Sequence, residues 1–173
     1  MRKFKMFIAQ SLDGYIATKE ESLQWLMDVE GEGDNGYSSF YETVDTVVMG
    51  RKTYDWVMAE MNGEYPYPNK PCYVFTSQHH VPSQDVIFTN ENVNTFVERL
   101  KSEEGQDIWI VGGGQLIAKF LEARAIDEII VTVAPVLLGT GIPLFPEGNY
   151  TSVWQLKGSH IYNQFIELHY VKK

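Results

Sequence analysis

IWIVGGGQLI, residues 108–117, sets four apolar residues, three glycines in a row and an apolar-patterned segment end to end. The first four read as a buried strand and the last as the start of a helix. Glycine inside regular structure costs roughly 0.5–1 kcal/mol, so three together at this junction imply that something approaches the backbone closely. In an open α/β sheet, such a junction puts a helix N-terminus at the carboxyl end of a strand, where backbone N–H groups hold anions.

The same grammar recurs on either side. TVVMG, 46–50, is a short β-branched run closed by glycine, and RKTYDWVMAEM, 51–61, carries Tyr54, Val57, Met58 and Met61 at helical spacing. Residues 3–10 form a strand that stops at SLDGY, where Asp-Gly signals a turn. PCYVFTS, 71–77, is another strand, and VNTFVERLKSEEG, 93–105, a helix halted at Gly105. QLIAKFLEARAI, 115–126, lines up Leu116, Ile117, Phe120 and Leu121 on one helix face, and DEIIVTVAPVLLG, 127–139, reads as one long strand. YSSFYETV, 37–44, is helical, with Asp34 as a possible N-cap. The tail 153–171 alternates polar and apolar residues around a turn between Gly158 and Asn163, which predicts a hairpin. Strands alternating with helices predict a three-layer α/β fold: a mostly parallel central sheet, helices on both faces, and a C-terminal antiparallel hairpin. Residues 1–173 read as a single domain, large enough to bury about 70% of the unfolded surface.

Composition narrows the function. The net charge of −9, from 14 basic and 23 acidic residues, repels a phosphate backbone, so nucleic acid is not an expected partner. A hydrophobic fraction of 44% and a mean hydropathy of −0.23 describe a soluble protein. No apolar run approaches the ~20 residues of a membrane span, and the opening MRKFKMFIAQSLDGYIA reads as a strand rather than a signal peptide. Cys72, the one cysteine, can form no internal disulfide, and the expected compartment is the cytoplasm. Cys72 and the pair His79-His80 lack metal-ligand spacing, so no metal is expected.

The two glycine turns offer two anion sites. Gly50, Arg51, Lys52 and Thr53 open one helix, and Gly112, Gly113 and Gly114 open the other, a pairing that suits a dinucleotide pyrophosphate; the alternative is a pair of tight turns with close helix–strand packing. Neither common nucleotide fingerprint is present. Ile117 stands where a third spaced glycine belongs, Ala134 where the ribose-binding acid belongs, and no Gly-Lys-Ser/Thr follows.

AQSLDGYIA (9–17), VVMGRKTY (47–54), CYVFTSQ (72–78), IWIVGGGQLI (108–117) and EIIVTVAPVLLGTGIPLF (128–145) occur in the order and spacing of the dihydrofolate reductase superfamily. SLDGYIA and LLGTGIPLF resemble the branch of the reductase domain of bacterial riboflavin biosynthesis, which reduces a ribosylaminopyrimidine. The resemblance implies a reductase that binds NADPH across the sheet. Ile8, Ala9, Ile16 and Ala17 would line the nicotinamide pocket. Gly50, Arg51, Lys52 and Thr53 would hold phosphates, Thr76, Ser77 and Gln78 would approach the adenosine end, and Gly113, Gly114, Gln115 and Leu116 would wrap the pyrophosphate. Dihydrofolate reductases commonly carry arginine just after the glycine run; here it is Gln115, which leaves the 2′-phosphate to Arg51, Lys52 and the hydroxyls at 76 and 77.

Reduction of a C=N bond needs a hydride on carbon and a proton on nitrogen, hence an acidic group beside the nicotinamide. The resemblance makes Asp34 the candidate, since the family's substrate-binding acid occupies the corresponding place at the start of the helix crossing the cleft; its alternative is a solvated helix cap, with Glu30 and Glu32 as nearby competitors. Ser11 stands at the pocket mouth beside Asp13, which itself reads as turn closure, and Trp25 and Tyr37 could stack on a planar substrate or simply pack. The zinc deaminase partner of bifunctional relatives needs more cysteines than this chain has. The expected activity is NADPH-dependent reduction of a small nitrogen heterocycle, with pterin reduction or a non-catalytic nucleotide-binding module as alternatives. The apolar APVLLGTGIPLF, 134–145, together with the resemblance, predicts a homodimer.

Overall fold

The computed structural model describes residues 1–78, 80, 83 and 85–173. His79, one half of the histidine pair, lies outside the described residues. In chain order the elements are β1 (Phe4–Gln10), β2 (Tyr15–Ala17), α1 (Gln24–Met27), α2 (Tyr37–Tyr41), β3 (Val44–Gly50), α3 (Arg51–Glu60), β4 (Cys72–Phe75), β5 (Val86–Thr89), α4 (Val93–Ser102), β6 (Asp107–Gly112), α5 (Gly114–Glu122), β7 (Glu128–Val133), β8 (Ile142–Pro143), β9 (Trp154–Tyr162) and β10 (Phe165–Lys172).

Eight strands form one sheet in the order β5-β4-β3-β6-β1-β7-β10-β9. The first six run parallel, whereas β10 pairs antiparallel with both β7 and β9. This is the expected three-layer arrangement. Side chains of successive strand residues point to opposite faces, and the core divides accordingly. Phe4 and Met6 of β1, Ile108 and Ile110 of β6, and Ile129 and Val131 of β7 meet Phe96 and Leu100 of α4 and Ile117 and Phe120 of α5. The alternate residues Phe7, Trp109 and Ile130 face the other way, towards Tyr37 and Phe40 of α2 and Tyr54 of α3. Parallel strands covered on both sides are apolar throughout, which is why TVVMG and IWIV are continuous apolar runs.

The structure departs from the sequence reading at several places, α1 among them, which no pattern announced. β7 ends at Val133 rather than at residue 139, because Pro135 has no N–H for a ladder; the chain turns there, and Leu12 N donates to Val136 O. The hairpin turns at Asn163 (φ 56°) and Gln164, leaving Gly158 within β9 beside a bulge opposite His169 and Tyr170. β5 is an edge strand whose four residues carry no distinctive pattern. β2 and β8 pair only with each other, and such short segments are set by tertiary contact rather than by periodicity.

Candidate active site

Because β3 and β6 are neighbours, the two glycine turns meet. Met49 lies opposite Gly112, and a Cβ built on Gly50 would stand 3.8 Å from Gly113 N and 3.9 Å from Gly112 O. The three consecutive glycines have three separate causes. Gly112 adopts φ +136°, a conformation closed to ordinary residues. A Cβ on Gly113 would press to 3.1 Å from Thr53 Oγ1, and one on Gly114 would reach 2.7 Å from Pro143 O in β8. Gly114 is thus a packing glycine. It makes room for the segment after β7, and only the first two belong to the surface shared by the turns.

The N-caps of α3 and α5 are Gly50 and Gly113, and neither helix has a side-chain cap. The first N–H groups of a helix have no intrahelical partner and carry its positive dipole end, so two such ends lie side by side here. Thr53 Oγ1 sits between them. Ile8 at the end of β1 completes the group, its Cδ1 4.0 Å from the Cβ position of Gly112. Gln115 and Lys52 are exposed at the starts of the two helices. Thr76 follows β4, whose Phe75 lies opposite Gly50, and its Oγ1 accepts from Gln78 N at 3.1 Å, while Ser77 is exposed.

Several expected site residues are engaged elsewhere. Leu116 is 5% exposed, with its side chain in the core and its N–H donated to Gly113 O. Ser11 is fully buried: its hydroxyl donates to Asp13 Oδ1 at 2.6 Å and accepts from Tyr15 N at 2.9 Å. Asp13 also accepts from Leu138 N and Gly139 N, so this pair staples the β1–β2 turn to the segment after β7 and does not form a pocket mouth. Arg51 is tied to Asp55 at 2.7 Å and to His80, with Phe88 beneath its guanidinium. Exposed pairs of this kind are worth about 0–1 kcal/mol, so an incoming anion can displace them.

Asp34 is exposed and stands two residues ahead of Gly36, which takes the N-cap position of α2 expected of Asp34. Oδ1 accepts from Gly36 N at 3.1 Å and Oδ2 from Ser38 N at 2.8 Å, satisfying donors at the start of α2. Hydrogen bonds from the Ser38 hydroxyl and backbone hold its carboxyl below the usual carboxylate range, the wrong direction for a proton donor. Glu30 and Glu32 are exposed, and Glu30 O accepts from Gln164 N, which ties this loop to the β9–β10 turn. Tyr37 packs against Tyr41, Phe7 and Trp109 and is a wall of the aromatic cluster under α2. Trp25 in α1 is half-buried, and its Nε1 is buried with no partner among the described residues.

The register brings together residues that the sequence reading did not connect. Ala9, Thr132 and Glu167 lie side by side across β1, β7 and β10 on the face that α2 covers. Gly36, the N-cap of α2, adopts φ 80° and lies so close that a Cβ would collide with Tyr162 Oη and stand 3.6 Å from Glu167 Oε2. Burial pushes the Glu167 carboxyl up, against the pull of His169 and His160. No sequence signal marks Glu167: it is one polar residue in an alternating hairpin, and only strand pairing carries it to Ala9.

Residues 2–166 match the family described as RibD C-terminal domain. The chain is 49% identical over 172 residues to the uncharacterized protein YwjB of Bacillus subtilis (strain 168), covering 99% of this chain and 98% of that protein. A crystal structure of a candidate riboflavin biosynthesis protein from Shewanella sp. PV-4 superposes with a TM-score of 0.89 at 32% identity, over 99% of both chains. The dihydrofolate reductase of Enterococcus faecalis, solved in complex with NADP(H) and RAB-propyl, shares the fold with a TM-score of 0.71 at 19% identity, over 99% of this chain and 96% of that one. With nearly its whole length matched by the family model, the chain belongs to the RibD C-terminal domain family, within the dihydrofolate-reductase-like superfamily.

Proposed function

We propose that this protein is an NADPH-dependent reductase of a small nitrogen heterocycle, with an aminopyrimidine such as 5-amino-6-(5-phosphoribosylamino)uracil as the closest substrate type. The observation that carries the reading is the meeting of the two uncapped helix ends at Gly50 and Gly113 with Thr53 between them. Adjacent helix N-termini facing one surface suit the two phosphates of a dinucleotide, since each supplies unpaired N–H donors and a positive dipole end. Family membership points the same way, as does NADP(H) in the enterococcal enzyme of the same fold.

Reduced nicotinamide supplies a hydride when bound. The chain's own contribution is to hold the phosphates at the starts of α3 and α5, to place the ring against Ile8, Ala9 and Ile16, and to offer Arg51 or Lys52 to the 2′-phosphate. Gln115 carries no charge, so discrimination between NADPH and NADH falls to α3. The protein works in the cytoplasm as a homodimer in this reading. The nine-residue edge strand β9, with Leu156 at 54% and Ile161 at 65% exposure, offers the apolar surface and the unpaired backbone that a second copy would cover. A monomer by light scattering at micromolar concentration would remove that assembly.

The test is differential thermal stabilisation followed by turnover. NADPH should raise the melting temperature more than NADH at equal concentration, since a ligand at 100 times its Kd stabilises by about 2.7 kcal/mol. Oxidation of NADPH should then follow on addition of an aminopyrimidine or pterin. Equal shifts from the two cofactors would remove the NADPH preference, and a shift from neither would remove the reductase reading.

A further inference from the structure

We infer that Glu167 of β10 is the carboxyl group that grips the N–H edge of the heterocycle in this site, in the place the sequence had suggested for Asp34. The inference rests on the reductase reading for the identity of the site, and it assigns the recognition element within it.

Three observations carry it. The first is place. Ala9, Thr132 and Glu167 occupy one row across three adjacent strands, on the face roofed by the start of α2. Strands lie about 4.8 Å apart, so Glu167 stands about 10 Å from Ala9, the length of a small bicyclic or ribosylated ring. Ala9 is the residue expected against the nicotinamide, so Glu167 stands about one planar substrate's length from the cofactor ring.

The second is that the helix start above packs on the wall that carries this carboxyl. Gly36 lies against Tyr162 and Glu167: a Cβ there would collide with Tyr162 Oη and stand in ordinary contact, 3.6 Å, with Glu167 Oε2. Its φ of 80° suits glycine as well, so the roof supplies no functional group at that point, and the wall of β9 and β10 does.

The third is the absence of a partner. Asp13, Asp34, Asp45 and Glu128 accept hydrogen bonds from side chains or backbone, whereas half-buried Glu167 has no hydrogen bond or ion pair among the described residues. A carboxyl withdrawn from water without a partner is costly, and such groups concentrate where a ligand completes them. His169 and His160 stand nearest on its own strand and on β9, Tyr162 borders it, and Asp34 and Glu32 face Tyr162 from the loop before α2.

A carboxylate accepts two parallel hydrogen bonds from a ring N–H and an adjacent amino group, the edge that pterins present when neutral and 2-aminopyrimidines present once a ring nitrogen is protonated. The ligand class is thus a planar base with an amidine-like edge. A base bearing only acceptors would leave the carboxyl unpaired.

The probe is 2,4-diaminopyrimidine, titrated by NMR into the full chain with NADPH present and absent, with unsubstituted pyrimidine as the donor-free control. Glu167→Gln should weaken the diaminopyrimidine at least tenfold while leaving pyrimidine within twofold. Glu167→Asp should restore part of the loss, and Asp34→Asn should stay within twofold of wild type. An unchanged NADPH-induced rise in melting temperature in Glu167→Gln shows that the variant is folded. Binding of the diaminopyrimidine to Glu167→Gln as tightly as to wild type, or no binding to wild type at all, overturns the inference even where NADPH stabilises the protein. Failure of NADPH to bind, with the diaminopyrimidine still dependent on Glu167, overturns the reductase reading instead.

Discussion

The two ends of the sheet are built on opposite plans. At the amino ends of the strands, charges are paired: Lys3 with Glu128 at 2.6 Å, Lys5 with Asp107 at 2.7 Å, Lys101 with Asp127 at 2.8 Å, and buried Arg2 with Asp45. Burial pushes the Glu128 carboxyl up, but hydrogen bonds from Lys3 and His169 outweigh it and hold the group down to about 2. At the carboxyl ends stand two helix starts without side-chain caps, a glycine in a conformation reserved for glycine, and a carboxyl with no partner among the described residues. One end is satisfied by the protein itself. The other leaves donors and acceptors open, as expected where an open α/β sheet binds its ligand.

The sharpest way to break this comparison is to disturb the satisfied end and look for an effect at the open one. Glu128→Ala should cost about 3 kcal/mol of stability, the low end for breaking a buried pair because Lys3 is half exposed. NADPH affinity in the surviving folded protein should be unchanged. The same pair sets an acid limb. Its folded value near 2 lies below the unfolded value of 4.5, so its contribution is complete above about pH 4.5 and fades as pH falls towards 2. Chemical denaturation across that window should show a steeper loss for wild type than for Glu128→Ala; parallel curves would mean that the pair contributes nothing.

At the open end, Gly112→Ala forces φ +136° on a residue with a Cβ and should cost about 1–3 kcal/mol. Unlike Glu128→Ala, it should also abolish the stabilisation by NADPH, because the turn it distorts abuts Gly50. Retained NADPH stabilisation in a folded Gly112→Ala protein would separate the glycine turn from the cofactor site.

Arg51→Ala should shrink the difference between NADPH and NADH by up to about tenfold in affinity, worth about 1.4 kcal/mol, since the guanidinium must first leave Asp55 and His80. Isothermal titration with both cofactors measures it; an unchanged ratio would move the 2′-phosphate to Lys52 or to the hydroxyls after β4. The smallest effect is expected from Asp34→Asn. Loss of a capping carboxylate should lower the melting temperature slightly and leave cofactor binding intact. A large loss of turnover with unchanged stability would restore Asp34 to the chemistry.

Patterns local in the chain fixed much of this molecule. Continuous apolar runs identified β3, β6 and β7 as strands buried on two faces, helical spacing identified α3 and α5, a glycine stop marked α4, and alternation identified the hairpin. The sequence also placed glycine turns at both crossovers, because glycine and helix-start chemistry are written in adjacent residues. Tertiary structure decided what no local pattern encodes. Strand order put Gly50 beside Gly113 and explained Gly114 by Pro143, residues far apart in the chain. Burial put Ser11 into the turn after β1 and the Leu116 side chain into the core. Antiparallel register carried Glu167, one polar residue among alternating ones, to the row of Ala9, while two backbone N–H groups consumed the carboxylate of Asp34. A carboxyl group's role depends on its partners and its depth, and both are set by residues that only folding brings near.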